Sequence, residues 1–337
     1  MHMNKVAVVI LNWNGAAMLR QFLPGVTAHS QAEVIVADNA STDDSLDVLR
    51  REFPAVRVIQ LDRNYGFAEG YNRALAQVEA EYAVLLNSDV EVDDDWVTPL
   101  WHYLQEHPQV AACQPKILSW HNRTQFEYAG ACGGFIDRLG YPYCRGRLMA
   151  TVEADEGQYD TVLPVAWATG AALMVRLDVY HEVGGLDARF FAHMEEIDLC
   201  WRLRTRGYGV VCVPTAHVYH VGGGSLPKEN PHKTFLNFRN NLFMLYKNLP
   251  QDELQGVMRC RWWLDRLAAL QFLLKGEARS CMAVFRAYRE YRAALPHLAA
   301  SRATNMALAQ PGLPDARTPI SLLWAYYIRG KRRFSQL

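Results

Sequence analysis

Residues 6–11 form an unbroken apolar run rich in β-branched side chains. Nothing polar alternates within it, so it predicts a strand covered on both faces. The apolar spacing becomes helical over residues 16–26, ending near Gly25. Residues 33–37 predict a second strand, closing in Asp38-Asn39. Ser41-Thr42-Asp43-Asp44 then supplies capping groups for a helix through Leu46, Val48 and Leu49. A third strand over 56–61, a loop over 62–66, a helix over 67–78 and a fourth strand over 82–86 follow. This order predicts an α/β fold, a mostly parallel sheet flanked by helices. Such sheets bind ligands at the carboxyl ends of their strands. Polar clusters fall there: Asn12-Trp13-Asn14, Asp38-Asn39, Arg63-Asn64 and Asn87-Ser88-Asp89.

Residues 111–165 are less regular and read as loops with a hairpin or two. A strand is expected within 165–176, with Thr169-Gly170 at its heart, then a short helix over 177–183. Three carboxylates, Glu195, Glu196 and Asp198, crowd the start of a helix that runs through Trp201 and Arg204 and stops at Gly207. A strand over 209–213 leads to a site-like loop containing His217, His220 and Gly222-Gly223-Gly224. From Phe235 the pattern is mostly helical, and a break at Pro311-Gly312-Leu313-Pro314 precedes a last helix.

The net charge of zero conceals an imbalance. Residues 251–337 carry 14 Lys/Arg against 6 Asp/Glu, a net of +8, and residues 1–250 carry the opposing −8. The expected division is therefore 1–250 as the α/β domain and 251–337 as a basic, amphipathic helical extension. Basic amphipathic helices with Trp and Tyr suit a membrane surface, so peripheral contact through 253–333 is expected. Packing on the first domain or on a second copy is the simpler alternative. No apolar run of 18 residues predicts a spanning helix, and the start lacks a signal-peptide pattern. The seven cysteines contain no C-x-x-C pair, which argues against a zinc site or disulfide framework and for a reducing cytoplasm. The expected location is cytoplasmic, at the inner face of the cytoplasmic membrane.

A strand-end carboxylate, Asp89, with a distant acidic helix start suits a metal-assisted displacement using a separate general base. The same residues, in order, resemble family 2 glycosyltransferases. The resemblance rests on Val9 to Asn14, Asp38 to Asp43, Asn64 to Ala68, Asn87 to Asp89, Gly184 to Asp187, Phe190-Phe191, Glu195 to Leu199 and His220. It covers roughly residues 5–250 and looks most like the bacterial rhamnosyltransferase-type branch. It implies a GT-A (Rossmann-like) fold, a nucleotide-sugar donor, Mg²⁺ or Mn²⁺, and inversion at the anomeric carbon. It further implies a glycan or polyprenyl-linked acceptor in cell-surface polysaccharide synthesis; the zero net charge implies no global field for nucleic acid. A dTDP-linked deoxysugar such as dTDP-rhamnose is the favoured donor, with UDP-sugars close behind.

By that resemblance Asp89 is the metal ligand. The family's Asp-x-Asp opens here with Asn87, whose amide oxygen can ligate but adds no charge. His220 would complete the metal site. Asn12, Asp38, Asn64, Gly66 and Ser88 are the nucleotide-binding candidates, Gly66 by allowing close backbone approach. The family's base position holds Glu196 instead of Asp, one methylene longer, with Glu195 as fallback. Trp167, Thr169, Gly170 and Asp198 are the sugar or acceptor candidates. For Asp198, an arginine is the competing partner. Without the resemblance, acids at a helix start would simply complement the macrodipole. Asn87 and Glu196 also motivate a competing reading, a nucleotide-sugar-binding scaffold without turnover. A nucleotidyltransferase ranks lower, because residues 6–15 lack the Gly-rich basic loop that holds a triphosphate.

Overall fold

A computed structural model describes residues 3–222 and 230–337. Gly223 and Gly224 of the expected glycine loop lie outside the described residues.

The strands are β1 Met3–Asn12, β2 Ala32–Asp38, β3 Arg57–Gln60, β4 Tyr82–Asn87, β5 Val90–Glu91 and β6 Val110–Ser119. Short strands follow at β7 Gly134–Ile136, β8 Pro142–Cys144, β9 Arg147–Leu148, β10 Thr151–Val152 and β11 Leu163–Pro164. The last two are β12 Ala172–Arg176 and β13 Gly209–His220. The main sheet runs β11-β13-β6-β12-β4-β1-β2-β3, with β5 paired to the far end of β13. Strands β3, β2, β1 and β4 are parallel. Strand β12 enters antiparallel between β4 and β6. A small antiparallel sheet, β10-β9-β8-β7, lies apart.

Alternate residues of β1 enter different cores. Val6, Val8 and Ile10 pack with Leu19, Leu23 and Leu100, whereas Ala7 and Val9 pack with Tyr71, Leu75 and Ile197. Both faces are covered, which explains the uninterrupted apolar run. The helices are α1 Ala16–His29, α2 Ser45–Glu52, α3 Gly66–Leu75, α4 Val97–Glu106, α5 Leu177–Glu182, α6 Glu195–Thr205, α7 Pro231–Asn248, α8 Gln251–Leu274 and α9 Ala278–Leu308.

Several expectations need correction. Helix α1 continues to His29 with Pro24 inside it. Gly25 does not stop the helix; it lets it press against the chain just after β5, where a Cβ would stand 2.9 Å from the Val92 carbonyl. Strand β6 crosses the region read as irregular. Its Gln114 and Lys116 interrupt the apolar pattern yet are buried, because Thr169 donates its amide to Gln114 and Lys116 pairs with Asp155 at 2.7 Å. Thr169-Gly170 lies in the turn before β12 rather than within a strand. His217 and His220 belong to β13, which extends seven residues beyond Val213.

Residues 251–337 are tied to the α/β domain. Buried Arg302 donates to the last carbonyls of α7, Tyr246 at 2.6 Å and Leu249 at 2.7 Å. Arg261 pairs with Asp265 inside the helical layer, and Arg189 reaches the His297 carbonyl at 2.9 Å. Among the described residues no helix is long and apolar enough to cross a membrane.

Candidate active site

Parallel pairing aligns three strand ends. Asn12 is in register with Asp38, and Leu11 with Asn87. Asn12 Nδ2 donates to Asp38 Oδ1 at 3.1 Å and to Ser41 Oγ at 3.2 Å. The Ser41 amide donates to Asp38 Oδ2 at 3.0 Å. Asp38 is only 1% exposed, so its carboxylate orders the β1 and β2 ends and offers a ligand only its second lone pairs. Ser88 Oγ lies over Gly15, 3.7 Å from where its Cβ would stand. Beside this corner Trp13 is 56% exposed. Asp43 accepts from the Ala16 amide at 3.0 Å, so it caps α1 across the chain as well as bonding Ser45 locally.

Asn39 organises the next loop, donating to Asn64 Oδ1 at 3.1 Å and to the Gly66 carbonyl at 3.0 Å. Gly66 has φ +74, and a Cβ there would stand 2.5 Å from the Phe191 ring. The close approach expected at Gly66 is therefore that of Phe191.

At the end of β4 the antiparallel pairing of β5 with β13 sets His220 opposite Val90. His220 Nε2 then lies 3.2 Å from Asp89 Oδ1 and 3.4 Å from the Asn87 amide. On the other side of the ring, Nδ1 is 3.6 Å from Glu127 Oε2. Burial works against charge on both partners, but their mutual contact wins. It holds Asp89 below the usual carboxylate range and, with Glu127, carries His220 up to about 10. Among the described residues no three His, Cys, Asp or Glu side chains converge on one point. The reason is visible here, since Asp89 and Glu127 address opposite nitrogens of one ring. Asp89 Oδ1 and His220 Nε2, once that nitrogen gives up its proton, fit a hard divalent ion, whereas Asn87 turns its amide nitrogen to the ring. Two ligands at about 2.1 Å from an octahedral ion stand about 3 Å apart, close to the Asp89–His220 spacing.

Helix α6 begins after an unusual backbone segment. Phe191, His193 and Met194 have φ of 63, 69 and 73°, a region that side chains disfavour. Buried Asn240 pins this segment, its Nδ2 donating to the carbonyls of Phe190 at 3.0 Å, Ala192 at 2.8 Å and His193 at 2.7 Å. Arg239 Nε in turn donates to Asn240 Oδ1 at 2.9 Å. The Phe191 carbonyl accepts from the Phe67 amide at 2.8 Å, which joins the segment to the start of α3.

The segment delivers Glu195 and Glu196, and one carboxylate oxygen of each, Oε2, is buried without a partner. Burial pushes both upward; Glu196 reaches about 7, and Glu195 also feels Glu196 and Asp198. The Glu196 Cβ lies 3.9 Å from where a Cβ on Gly170 would stand, beside Phe67. The neighbouring Ala171 carbonyl accepts from the Asn87 amide at 3.0 Å. The turn before β12 therefore joins the base candidates to the Asn87–Asp89–His220 cluster.

Three of the four sugar or acceptor candidates are differently employed. Asp198 is fully buried, accepting from Arg202 at 2.9 Å, Lys247 at 2.8 Å and Asn248 at 2.8 Å. Those cations outweigh burial and keep it ionised, so it is an interior counter-ion. Trp167 is 4% exposed, with its indole N–H on the Phe135 carbonyl at 3.0 Å and its ring against Gly134. Thr169 is buried with its hydroxyl on the Ala129 carbonyl at 2.8 Å. Gly170 borders Glu196. Sequence reading did not single out Glu127, Lys247 or Asn248, and it gave Arg239-Asn240 no role. Nothing local distinguishes them, because Lys247, Asn248 and Asn240 meet site partners 47 to 60 residues away and Glu127 meets His220 from a distant strand.

The sequence profile of Glycosyl transferase family 2 matches residues 7–155, which include Asn12, Asp38, Asn64, Asn87 and Asp89. Over that stretch the chain resembles the family 2 glycosyltransferases. The chain is similar to N-acetylglucosaminyl-diphospho-decaprenol L-rhamnosyltransferase of Mycobacterium tuberculosis (strain ATCC 25618 / H37Rv). The two are 27% identical over 230 residues, covering 63% of this chain and 75% of that protein. Rhamnosyltransferase WbbL of Escherichia coli (strain K12) is 25% identical over 163 residues, 46% of this chain and 61% of that one. Among solved structures, mannosyltransferase PcManGT from Pyrobaculum calidifontis in complex with GDP-Man and Mn²⁺ superposes with a TM-score of 0.52. Identity is 16%, over 90% of this chain and 80% of that chain. The fold of the chain is thus GT-A.

Proposed function

We propose that the chain is a glycosyltransferase that moves a sugar from a nucleoside-diphosphate donor, dTDP-rhamnose or a UDP-sugar, to a glycan or polyprenyl-linked acceptor, inverting the anomeric carbon. The observation that carries this reading is the turn at Gly170-Ala171, which borders the Glu196 Cβ on one side and bonds the Asn87 backbone on the other, while one Glu196 carboxylate oxygen is buried without a partner.

The nucleoside would lie over Asn12, Asp38, Asn64, Gly66 and Ser88, with exposed Trp13 at its edge. Asp89 and His220 would hold Mg²⁺ or Mn²⁺, which when bound offsets the negative charge gathering on the departing diphosphate. Glu196 takes the proton of the acceptor hydroxyl, and Glu195 is the alternative base. The hydroxyl oxygen bonds to the anomeric carbon from the face opposite the diphosphate, and the bond from that carbon to the diphosphate oxygen breaks. A base with a pKa near 7 is suited to this proton transfer at neutral pH. The rhamnosyltransferase relatives favour a deoxysugar donor and a lipid-linked acceptor.

Thermal stabilisation by a panel of nucleotides and nucleotide sugars, with and without Mn²⁺ or Mg²⁺, tests the donor site. A ligand that binds only folded protein raises the melting temperature. Metal-dependent stabilisation by one nucleotide class supports the site and names the donor. No shift with any nucleotide, in protein shown to be folded, would remove it. The departures at Asn87 and Glu196 favour one second reading, donor binding without turnover. Stabilisation by donor with neither transfer nor donor hydrolysis would establish that reading.

A further inference from the structure

The hairpin of α8 and α9 carries an apolar surface that the transfer reaction does not use. On α8, Trp263, Leu267, Leu270 and Leu274 recur at i, i+4, i+7 and i+11, which places them on one helical face. All four are exposed, Trp263 by 68% and Leu274 by 80%. Just past the turn, Met282 and Phe285 are exposed on α9. The opposite sides of the two helices are spoken for. Ala269, Val284 and Tyr288 pack with Leu242 of α7, and Asp265 is buried between Arg261 and the Tyr288 hydroxyl. The stripe therefore faces away from the protein's own interior.

Charge indicates what would cover it. Between residues 259 and 292 six cations are exposed, Arg259, Lys275, Arg279, Arg286, Arg289 and Arg292, against one exposed acid, Glu277. On α9 the face bearing Met282 and Phe285 continues to Arg289 and Arg292. A groove of about 410 Å³ on the same hairpin is lined by Trp262, Tyr288 and Tyr291 with Arg259 and Arg292. A two-fold contact with a second copy would bring these like charges together. An anionic bilayer satisfies both features, since acyl chains take the leucines while phosphates meet the arginines.

We infer that the α8–α9 hairpin is a peripheral docking surface for an anionic lipid bilayer, entered by Trp263, Leu267, Leu270 and Leu274. The inference rests on the proposed lipid-linked acceptor only for its purpose. Its geometry and its test are independent of the transfer reaction.

The test is flotation of the full chain with phosphatidylglycerol–phosphatidylcholine vesicles, compared with phosphatidylcholine alone and with high salt. The chain should float with the anionic vesicles and much less in either comparison. Leu270→Glu/Leu274→Glu should lower the bound fraction by roughly tenfold or more. Leu308→Glu, at an exposed leucine far along α9, should leave it unchanged. Nucleotide-induced thermal stabilisation of each variant reports that the α/β domain is intact, so a failure of docking is distinguishable from a failure of the donor site. Wild-type protein that stays in the aqueous phase, or a double variant that floats like wild type, would overturn the inference. So would a dimer in light scattering that the same double substitution dissolves, because the stripe would then belong to a second copy.

Discussion

The Asn240 side-chain amide donates to the His193 carbonyl at 2.7 Å, 47 residues away, one residue before the strained step that starts the acidic helix. The same nitrogen also bonds Phe190 and Ala192, so one side chain holds a backbone that no local preference would maintain.

Asn240→Ala should therefore act on the base without touching substrate. Removing this donor from three carbonyls, of which Phe190 keeps Arg239, should cost about 1–3 kcal/mol of stability. A base displaced by about 1 Å can cost roughly a hundredfold in rate. Steady-state kinetics should show kcat falling while the donor KM barely moves. An unchanged kcat in the less stable variant would assign Asn240 to stability alone.

Glu196 sets the expected pH dependence. As a base it works only when ionised, and burial raises its carboxyl to about 7. The transfer rate should rise with pH through about 7 and level off above it. Stability should run the other way. A carboxyl raised on folding makes the folded state bind the extra proton, so its contribution is complete below the unfolded value and is lost as pH climbs to the folded one. Glu196→Gln should lower kcat by roughly 10²–10⁴-fold, keep donor-induced stabilisation, and melt higher than wild type at alkaline pH. A rate profile flat across neutrality would point away from Glu196.

The donor cluster predicts dependence on a divalent ion. Asp89→Asn and His220→Ala should each abolish the extra stabilisation that Mn²⁺ or Mg²⁺ gives a bound nucleoside diphosphate. A chelator should stop turnover reversibly. Nucleotide stabilisation that ignores both metal and these substitutions would remove the ion from the proposal.

Asp198 should prove structural. Asp198→Asn takes the carboxylate from buried Arg202 and leaves Lys247 with Asp187 alone, and breaking a buried pair typically costs about 3–5 kcal/mol. The melting temperature should fall sharply, whereas any folded fraction should retain its acceptor KM. A stable variant with a raised acceptor KM would restore the acceptor role expected from its place in the sequence.

The parallel strands were legible because a sheet covered on both faces needs continuous apolar runs, as in residues 6–11 and 82–86. The site corner was legible for the same reason: polar residues at strand ends interrupt such runs abruptly at Asn12, Asp38 and Asn87. Strand β6 was not, because Gln114 and Lys116 are tolerated in its centre only through Thr169 and Asp155.

The sequence by itself determined the α/β order, the strand-end polar cluster and the three acids at the start of α6. It could not divide those acids among roles. Within one helical turn Glu195, Glu196 and Asp198 are chemically alike, and only the tertiary structure brings Lys247, Arg202 and Asn248 to Asp198 while leaving an oxygen of each glutamate unpartnered. The physical reason is that a carboxylate's character depends on desolvation and on which charges lie within a few ångströms, and those charges arrive from segments distant in the chain.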